Sequence, residues 1–283
     1  MESIETLLKK GQIRLAHLPN PKFEAEVILA HLLKVNRAHF IAFPENKVAE
    51  ETAIIYDDWL DKRASGLPFA YLTGEKEFYG LTLKVTKDTL VPRDDTEIIV
   101  DAALDLIPES DHLNSPWNIL DLGTGTGAIA LTLKKYRPHC PVTAVDYNPD
   151  TLLVAKHNAV QNHLDVTFIQ SDWFSNVKGR FELIVSNPPY IDPLDHHLQD
   201  DGVKHEPIRA LAAEDRGLAD LKTIIKTAPD FLTQNGWLLL EHGYDQGPFL
   251  REYMEVVGYQ SVQTLKDYGD NNRVTLGQWT TAV

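Results

Sequence analysis

The sequence predicts a doubly wound α/β domain, a parallel sheet covered by helices on both faces, behind a small helical domain. Three observations carry that expectation. From about residue 94, the short apolar runs "WNILDL", "PVTAVD", "VTFIQ" and "FELIVS" alternate with helical stretches such as "PDTLLVAKHNAVQNH". Strands that alternate with helices build a parallel sheet buried on both faces. The glycine-rich "DLGTGTG" (Asp121–Gly127) joins the first apolar run to an amphipathic helix. Before residue 68, by contrast, the apolar spacing is helical.

Taken in order, "FEAEVILAHLLKV" places Ala25, Ile28, Leu29, Leu32 and Leu33 at helical spacing. "AEETAIIYDDWLDKRASG" does the same with Ile54, Ile55, Trp59 and Leu60, and Gly66 and Pro68 stop it. Residues 1–68 are therefore read as a helical domain. In "AYLTGEKEFYGLTLKVTKDTLVPR" the alternation of Leu81, Leu83 and Val85 suggests a β-hairpin, making residues 69–93 a linker. Residues 94–283 form the α/β domain. They open with a helix over Thr96–Ile107, and near the end "ADLKTIIKTAPDFLTQNGWLLLEHG" gives a helix, a stop at Gly236 and a strand. "GYQSVQTLKD" and "NNRVTLGQW" supply a late antiparallel pair.

Composition narrows the class. The chain has 283 residues, 43% hydrophobic and 24% charged, as in soluble globular proteins. No apolar run approaches the roughly 20 residues of a membrane span, and the N-terminus lacks the layout of a secretory signal. Cys140 is the only cysteine, so neither an intrachain disulfide nor a cysteine zinc site is expected. The expected location is the cytoplasm, with no membrane partner. Net charge is −14: residues 1–90 carry 12 Lys and Arg against 13 Asp and Glu, and residues 91–283 carry 15 against 28. Without a basic stretch to displace counterions from phosphates, a nucleic-acid partner is disfavoured. His196, His197 and His205 share a loop with Asp192, Asp195, Asp200 and Asp201, but lack ligand spacing, so no metal is expected.

In doubly wound folds ligands bind at the carboxyl ends of the strands, and four strands here end in unusual residues. Gly123, Thr124, Gly125, Thr126 and Gly127 follow the first. Their G-x-G-x-G spacing differs from the G-x-G-x-x-G of a dinucleotide site and suits a cofactor without pyrophosphate, its amino-acid end over the loop. A purely structural turn is the competing reading. Asp146 ends the second strand, where a carboxylate bonds ribose hydroxyls; a role in capping the next helix, shared with Asn148, competes. Asp172 and Trp173 follow the third, one able to accept from an exocyclic amine and the other to cover an adenine. A nucleoside with an amino-acid tail, such as S-adenosylmethionine, matches these strand ends.

The fourth strand ends in Asn187, Pro188, Pro189 and Tyr190. A planar nitrogen is a poor nucleophile because its lone pair is delocalised, so it must be held close with its N–H groups drawn away. The Asn187 side-chain oxygen and the Pro188 carbonyl are acceptors for that purpose. The prolines add stiffness through their fixed φ, and Tyr190 offers a flat face. This is catalysis by positioning and electrostatics. A rigid turn is the plain alternative.

"DLGTGTGAIAL", "VSNPPYI", "LLLEHG" and "PRDDTE" occur in the order found in the HemK/PrmC family, the N5-glutamine methyltransferases of peptide chain release factors, which this chain resembles over nearly its whole length. The resemblance implies a seven-stranded, Rossmann-like class I S-adenosylmethionine-dependent methyltransferase domain joined by a β-hairpin to a small helical domain. It implies cofactor contacts at Gly123–Gly127, Asp146, Trp173 and Asn187, and a glutamine clamp over Asn187–Tyr190. Catalysis is assigned to Asn187, Pro188 and Tyr190. The implied partner is a class 1 release factor presenting a Gly-Gly-Gln loop to the crevice, with the helical domain of residues 1–68 recognising that substrate. N-P-P-Y also occurs in amino-methyltransferases of adenine and guanine, and "TLVPRDDTE" and "EPIRAL" narrow the match. A ribosomal-protein glutamine methyltransferase, a nucleic-acid amino-methyltransferase and a dehydrogenase remain as alternatives. Three departures from the family pattern stand beside the site: Asp94 in place of a proline, the run Ala213–Leu218, and His242.

Overall fold

A computed structural model describes residues 1–109 and 116–280. The chain divides into two compact units, Met1–Gly74 with Gln199–His205, and Glu75–Leu198 with Glu206–Val283.

The first unit is helical: α1 (Ile4–Arg14), α2 (Pro21–Leu33), α3 (Ala38–Ala42), α4 (Glu50–Ala64) and α5 (Phe69–Thr73). Ser3 caps α1, its hydroxyl accepting from the Thr6 N–H at 3.2 Å. Leu7, Ile28, Leu29, Tyr56 and Leu60 are fully buried in its core. Ile54 and Ile55, placed at helical spacing with Leu60, are exposed; Leu60 is buried as that spacing suggests, and Tyr56 is buried beside it. Tyr56 is tolerated there because its hydroxyl donates to the Ala25 carbonyl at 3.2 Å. The turn at Gln199–His205 adds itself to this unit through the Gly202 N–H, which donates to the Gly66 carbonyl.

The second unit opens with the hairpin β1 (Glu75–Phe78) and β2 (Leu81–Lys84). Its two-residue turn puts Tyr79 and Gly80 at φ 49° and 71°, the twist that matches paired strands. Leu81, Leu83 and Val85 are buried as their alternation requires. Then follow α6 (Glu97–Leu106), β3 (Ile119–Leu122), α7 (Ala128–Tyr136), β4 (Val142–Asp146), α8 (Pro149–Gln161), β5 (Thr167–Gln170) and β6 (Phe181–Ser186). After α9 (Glu214–Gly217), a single distorted turn, come α10 (Ala219–Thr227), β7 (Leu232–Glu241), α11 (Gly247–Val257), β8 (Gln260–Lys266) and β9 (Asn272–Trp279). Gly236 does not stop the helix: α10 ends at Thr227, just before Pro229, and Gly236 lies inside β7, paired with Trp279.

The sheet has seven strands in the order β5-β4-β3-β6-β7-β9-β8. It is parallel from β5 to β7, and β9 runs antiparallel to both β7 and β8. The central strands are apolar because both faces are covered, the hairpin, α6 and α7 packing on one face and α10 and α11 on the other. The chain works outward from β3 to β5, then returns to place β6 on the opposite side of β3. This reversal separates the two flanking crossovers and opens a crevice at the carboxyl ends of β3 and β6. Among the described residues, no helix is long and apolar enough to cross a membrane.

Candidate active site

At that crevice lies a cavity of about 790 Å³, within the usual range for a small-molecule site. Gly123 to Thr126, Asp146, Asp172, Trp173, Asn187 and Pro189 line it. Gly127 lies just beyond, at the head of α7, and Pro188 and Tyr190 stand behind the wall.

The glycine loop keeps its shape because Gly123, Gly125 and Gly127 hold φ of 70°, 58° and 86°, a region costly for residues with a Cβ. A Cβ on Gly125 would meet no protein atom within 4 Å, so the loop backbone at this point borders open space. From beneath, Asp121 braces the loop: its Oδ2 accepts from the Thr124 hydroxyl at 2.6 Å and from the Ala130 N–H at 3.3 Å. Burial pushes Asp121 up to about 7, opposed by those two donors. Its Oδ1 is buried without a partner. Asn158 of α8 ties the loop to the hairpin, its Nδ2 donating to the carbonyls of Thr126 and Lys84 at 2.9 and 3.0 Å.

Asp146 holds the loop from the next strand. Its Oδ2 accepts from the Gly125 N–H and its Oδ1 from the Asn148 N–H, both at 3.0 Å. Burial raises its pKa and these backbone donors offset part of the rise. Asn148 is the cap of α8, accepting from the Asp150 N–H at 2.9 Å, so the carboxylate remains on the cavity wall. Trp173 has φ 44°, and its ring edge lies 3.4 Å from where a Gly123 Cβ would be. Its indole N–H donates to Asp220 at 3.2 Å. Asp220 also lines the cavity, and nothing in the sequence marked it, because it arrives from α10, far along the chain.

Asn187 follows β6 directly. Its Nδ2 donates to the Thr96 hydroxyl at 3.1 Å, which leaves Oδ1 as the acceptor this side chain can offer elsewhere. Tyr190 turns its hydroxyl to Oε1 of Glu241, the last residue of β7, at 3.3 Å, and its ring packs against the apolar core. Burial raises the Tyr190 hydroxyl, and the nearby Glu241 carboxylate adds to the rise. Glu241 itself is raised to about 7, first by burial; Thr96, Arg273 and Tyr190 pull the other way.

Two flanking segments cross the cavity. Arg93 pairs with the buried Glu206, whose other oxygen accepts from the Val91 N–H at 3.0 Å. Nothing local in the sequence links the two segments, since 113 residues separate Arg93 from Glu206.

The three departures have physical accounts. Asp94 is exposed and pairs with Lys76 at 2.9 Å. Asp215, Arg216 and Gly217 are all left-handed, at φ 56°, 58° and 80°. His242 is buried and held neutral, its pKa lowered to about 4 by burial; Nδ1 donates to the Gly243 carbonyl and Nε2 accepts from the Thr275 hydroxyl, each at 2.8 Å. In the His-rich loop, Asp195, His196 and His197 bring their ligand atoms within 4.8 Å of one another, while His205 bonds the Ser65 carbonyl.

Together the open space beside Gly125, the Asp146 carboxylate, the Trp173 ring and the volume suit a nucleoside carrying an amino-acid tail. Comparison with known proteins agrees. Residues 6–74 match the PrmC N-terminal domain and residues 99–200 the methyltransferase small domain. Over 98% of its length the chain is 46% identical to the release factor glutamine methyltransferase of Haemophilus influenzae, covering 97% of that protein. It is 45% identical to the Escherichia coli protein of the same name, over 96% of this chain and 97% of that one. A methyltransferase of Pyrococcus furiosus shares the fold, with TM-score 0.54 at 20% identity, over 72% of this chain and 91% of that one.

Proposed function

Because the chain belongs to the release factor glutamine methyltransferase family, we propose that this S-adenosylmethionine-dependent enzyme methylates N5 of the glutamine in the Gly-Gly-Gln motif of class 1 peptide chain release factors. One observation carries the acceptor chemistry: Asn187, on the cavity wall, has its Nδ2 tied to Thr96 at 3.1 Å. Its Oδ1 is thereby left to receive an N–H.

When bound, S-adenosylmethionine supplies a methyl group on a positively charged sulfur. The glycine loop and Asp146 hold its amino-acid and ribose parts, with Asp172 and Trp173 at the base. Asn187 Oδ1 accepts one N–H of the substrate carboxamide, which orients the nitrogen toward the methyl; the Pro188 carbonyl would accept the other only on turning to the cavity, whose lining Pro188 does not join here. Pro188 and Pro189 fix the backbone, so little reorganisation is needed. Tyr190 supports the clamp from behind through Glu241. No strong base is required, because alignment of a weak nucleophile supplies the rate; as the N–C bond forms the C–S bond breaks to leave a neutral thioether, and the surplus proton of the alkylated amide passes to water. The partner in this reading is a protein, met in the cytoplasm, and neither nucleic acid nor a membrane; the net charge of −14 favours that choice.

Radiolabelled S-adenosylmethionine, the purified chain and a release factor provide the test, with a Gln→Ala version of the Gly-Gly-Gln loop and a nucleic-acid sample in parallel. Label should enter the intact release factor and vanish with Gln→Ala. Label in the nucleic acid instead would keep the clamp chemistry and reject the substrate.

A further inference from the structure

Pro188 and Pro189 have no N–H, so the backbone of N-P-P-Y can be anchored by donors of its own only at its two ends. At the far end both peptide groups of Tyr190 are held. Its N–H donates to the Leu211 carbonyl at 3.1 Å, and its carbonyl accepts from Nε2 of Gln246 at 2.9 Å. Gln246 stands half-buried just before α11 and is not among the residues lining the cavity. Its Oε1 accepts from the Gly243 N–H at 2.9 Å, and its Nε2 also lies 3.5 Å from the Arg216 carbonyl.

These partners fix which way the amide points. A side-chain amide donates from its nitrogen and accepts at its oxygen. With a backbone N–H on one side and a carbonyl on the other, only one orientation of Gln246 satisfies both. Gly217 makes room for the contact, since a Cβ there would overlap the Tyr190 carbonyl oxygen and press on Gln246 Nε2. Gln246 therefore ties the far end of N-P-P-Y to the turn after β7, while the near end is tied to Thr96 through Asn187 Nδ2. Because both prolines fix their φ, a displacement at Tyr190 passes to Asn187 with little absorbed between them.

We propose that Gln246 is a positioning residue for methyl transfer, whose side-chain amide holds the Tyr190 carbonyl and so keeps N-P-P-Y, with the Asn187 oxygen, aligned on the acceptor nitrogen. This rests on the reading of N-P-P-Y as the amide clamp. It extends that reading to a residue outside the cavity lining.

The test uses the full chain with a release factor and compares two variants. Q246M keeps the size and loses both contacts; Q246E keeps an acceptor for Gly243 and loses the donor. At about pH 8 each should lower kcat roughly ten- to a hundredfold, the cost of a misaligned clamp, while the cofactor Kd and the release-factor KM stay within about twofold. Acid should restore Q246E alone, because a protonated carboxyl has one O–H to donate. The charged side chains on the adjoining segments are Asp245 of the same turn, beside Gly243, and Asp215 and Arg216 before α10, Asp215 being paired with Lys222. Asp245 helps to raise such a carboxyl above its ordinary value of about 4.3. From about pH 8 to about pH 5 the kcat of Q246E relative to the native chain should therefore climb about fivefold or more, and that of Q246M should not. A native rate in either variant, a loss matched by the cofactor Kd, or no recovery of Q246E would overturn the proposal.

A second readout needs no substrate. The Ile191 amide nitrogen belongs to the peptide group whose carbonyl is that of Tyr190, so its ¹⁵N signal reports on the Gln246 contact. It should shift in Q246M, shift in Q246E at about pH 8, and return toward the native position in Q246E near about pH 5. An unmoved Ile191 signal in Q246M also overturns the proposal. Failure of the native chain to label a release factor would instead count against the substrate reading and leave the Ile191 signals to decide whether Gln246 holds the clamp. If Q246M fails to fold, Q246E and its recovery in acid decide.

Discussion

A methyl group on Gly217 would lie 2.0 Å from the carbonyl oxygen of Tyr190. The chain around Gly217 therefore closes directly on the backbone of N-P-P-Y. Gln246 completes the contact, its Nε2 donating to the same carbonyl at 2.9 Å. Because Gly217 also has φ 80°, G217A meets both a clash and an unfavourable backbone region. The expected cost is about 2–4 kcal/mol of stability. Gly179, with φ 92° and nothing within 4 Å of a Cβ, is the control, and G179A should cost only about 1–2 kcal/mol. Chemical denaturation of both variants checks this, and equal losses would deny the packing role.

Removing the clamp side chain should separate chemistry from binding. N187A takes away the oxygen proposed to receive the substrate N–H, and the Thr96 hydroxyl loses its donor. Methyl transfer should become undetectable in the label assay, while cofactor affinity measured by calorimetry falls only a few-fold. A variant turning over at a comparable rate would remove Asn187 from the clamp.

The opposite pattern is expected at Asp146. Its carboxylate accepts from the Gly125 and Asn148 N–H groups, and its proposed ribose contacts come in addition. D146A should weaken cofactor binding by about tenfold or more, given about 1.5–3 kcal/mol for a hydrogen bond to a charged group. D146N, which keeps a carbonyl acceptor, should lose less. Calorimetry showing unchanged affinity for D146A would take this residue out of the site.

Buried acids give the stability a pH dependence with a definite sign. Glu241 rises from 4.5 to about 7 and Asp121 from 3.8 to about 7, both through burial. Between those values the folded chain holds protons that the unfolded chain has released. Each group's contribution to stability therefore falls as pH rises through the window and levels above about 7. His242, lowered from 6.5 to about 4, acts oppositely, costing stability as pH falls below 6.5. The difference in Tm between E241Q and the native chain isolates one group: it should move in favour of E241Q from pH 4.5 to 7 and then stay level. A difference independent of pH would mean that Glu241 keeps its ordinary titration.

The class of fold, the glycine loop and the strand-end residues were legible because each is local. Period-2 and period-3.6 spacing, glycines at strand-to-helix turns and a fixed-φ pair after an apolar run act within a few residues. Misreadings arose where local signals conflict with packing. Gly236 resembled a helix stop, yet Pro229 already ends that helix and Gly236 takes a place in the ladder of β7. Ile54 and Ile55 fitted a helical stripe, but Tyr56 fills the core instead because a carbonyl receives its hydroxyl.

What the sequence by itself determined is the architecture around β3 and the chemistry held in Asp121–Gly127 and Asn187–Tyr190. Only the tertiary structure decided which way that chemistry faces. Asp220, Glu206, Thr96 and Glu241 reach the site from distant parts of the chain, and no spacing encodes their meeting. The Tyr190 hydroxyl turned away from the cavity because Glu241 was buried behind it. A carboxylate removed from water must be matched by donors wherever the fold brings them, and those partners are set by the packing of strands and helices, not by neighbours in sequence.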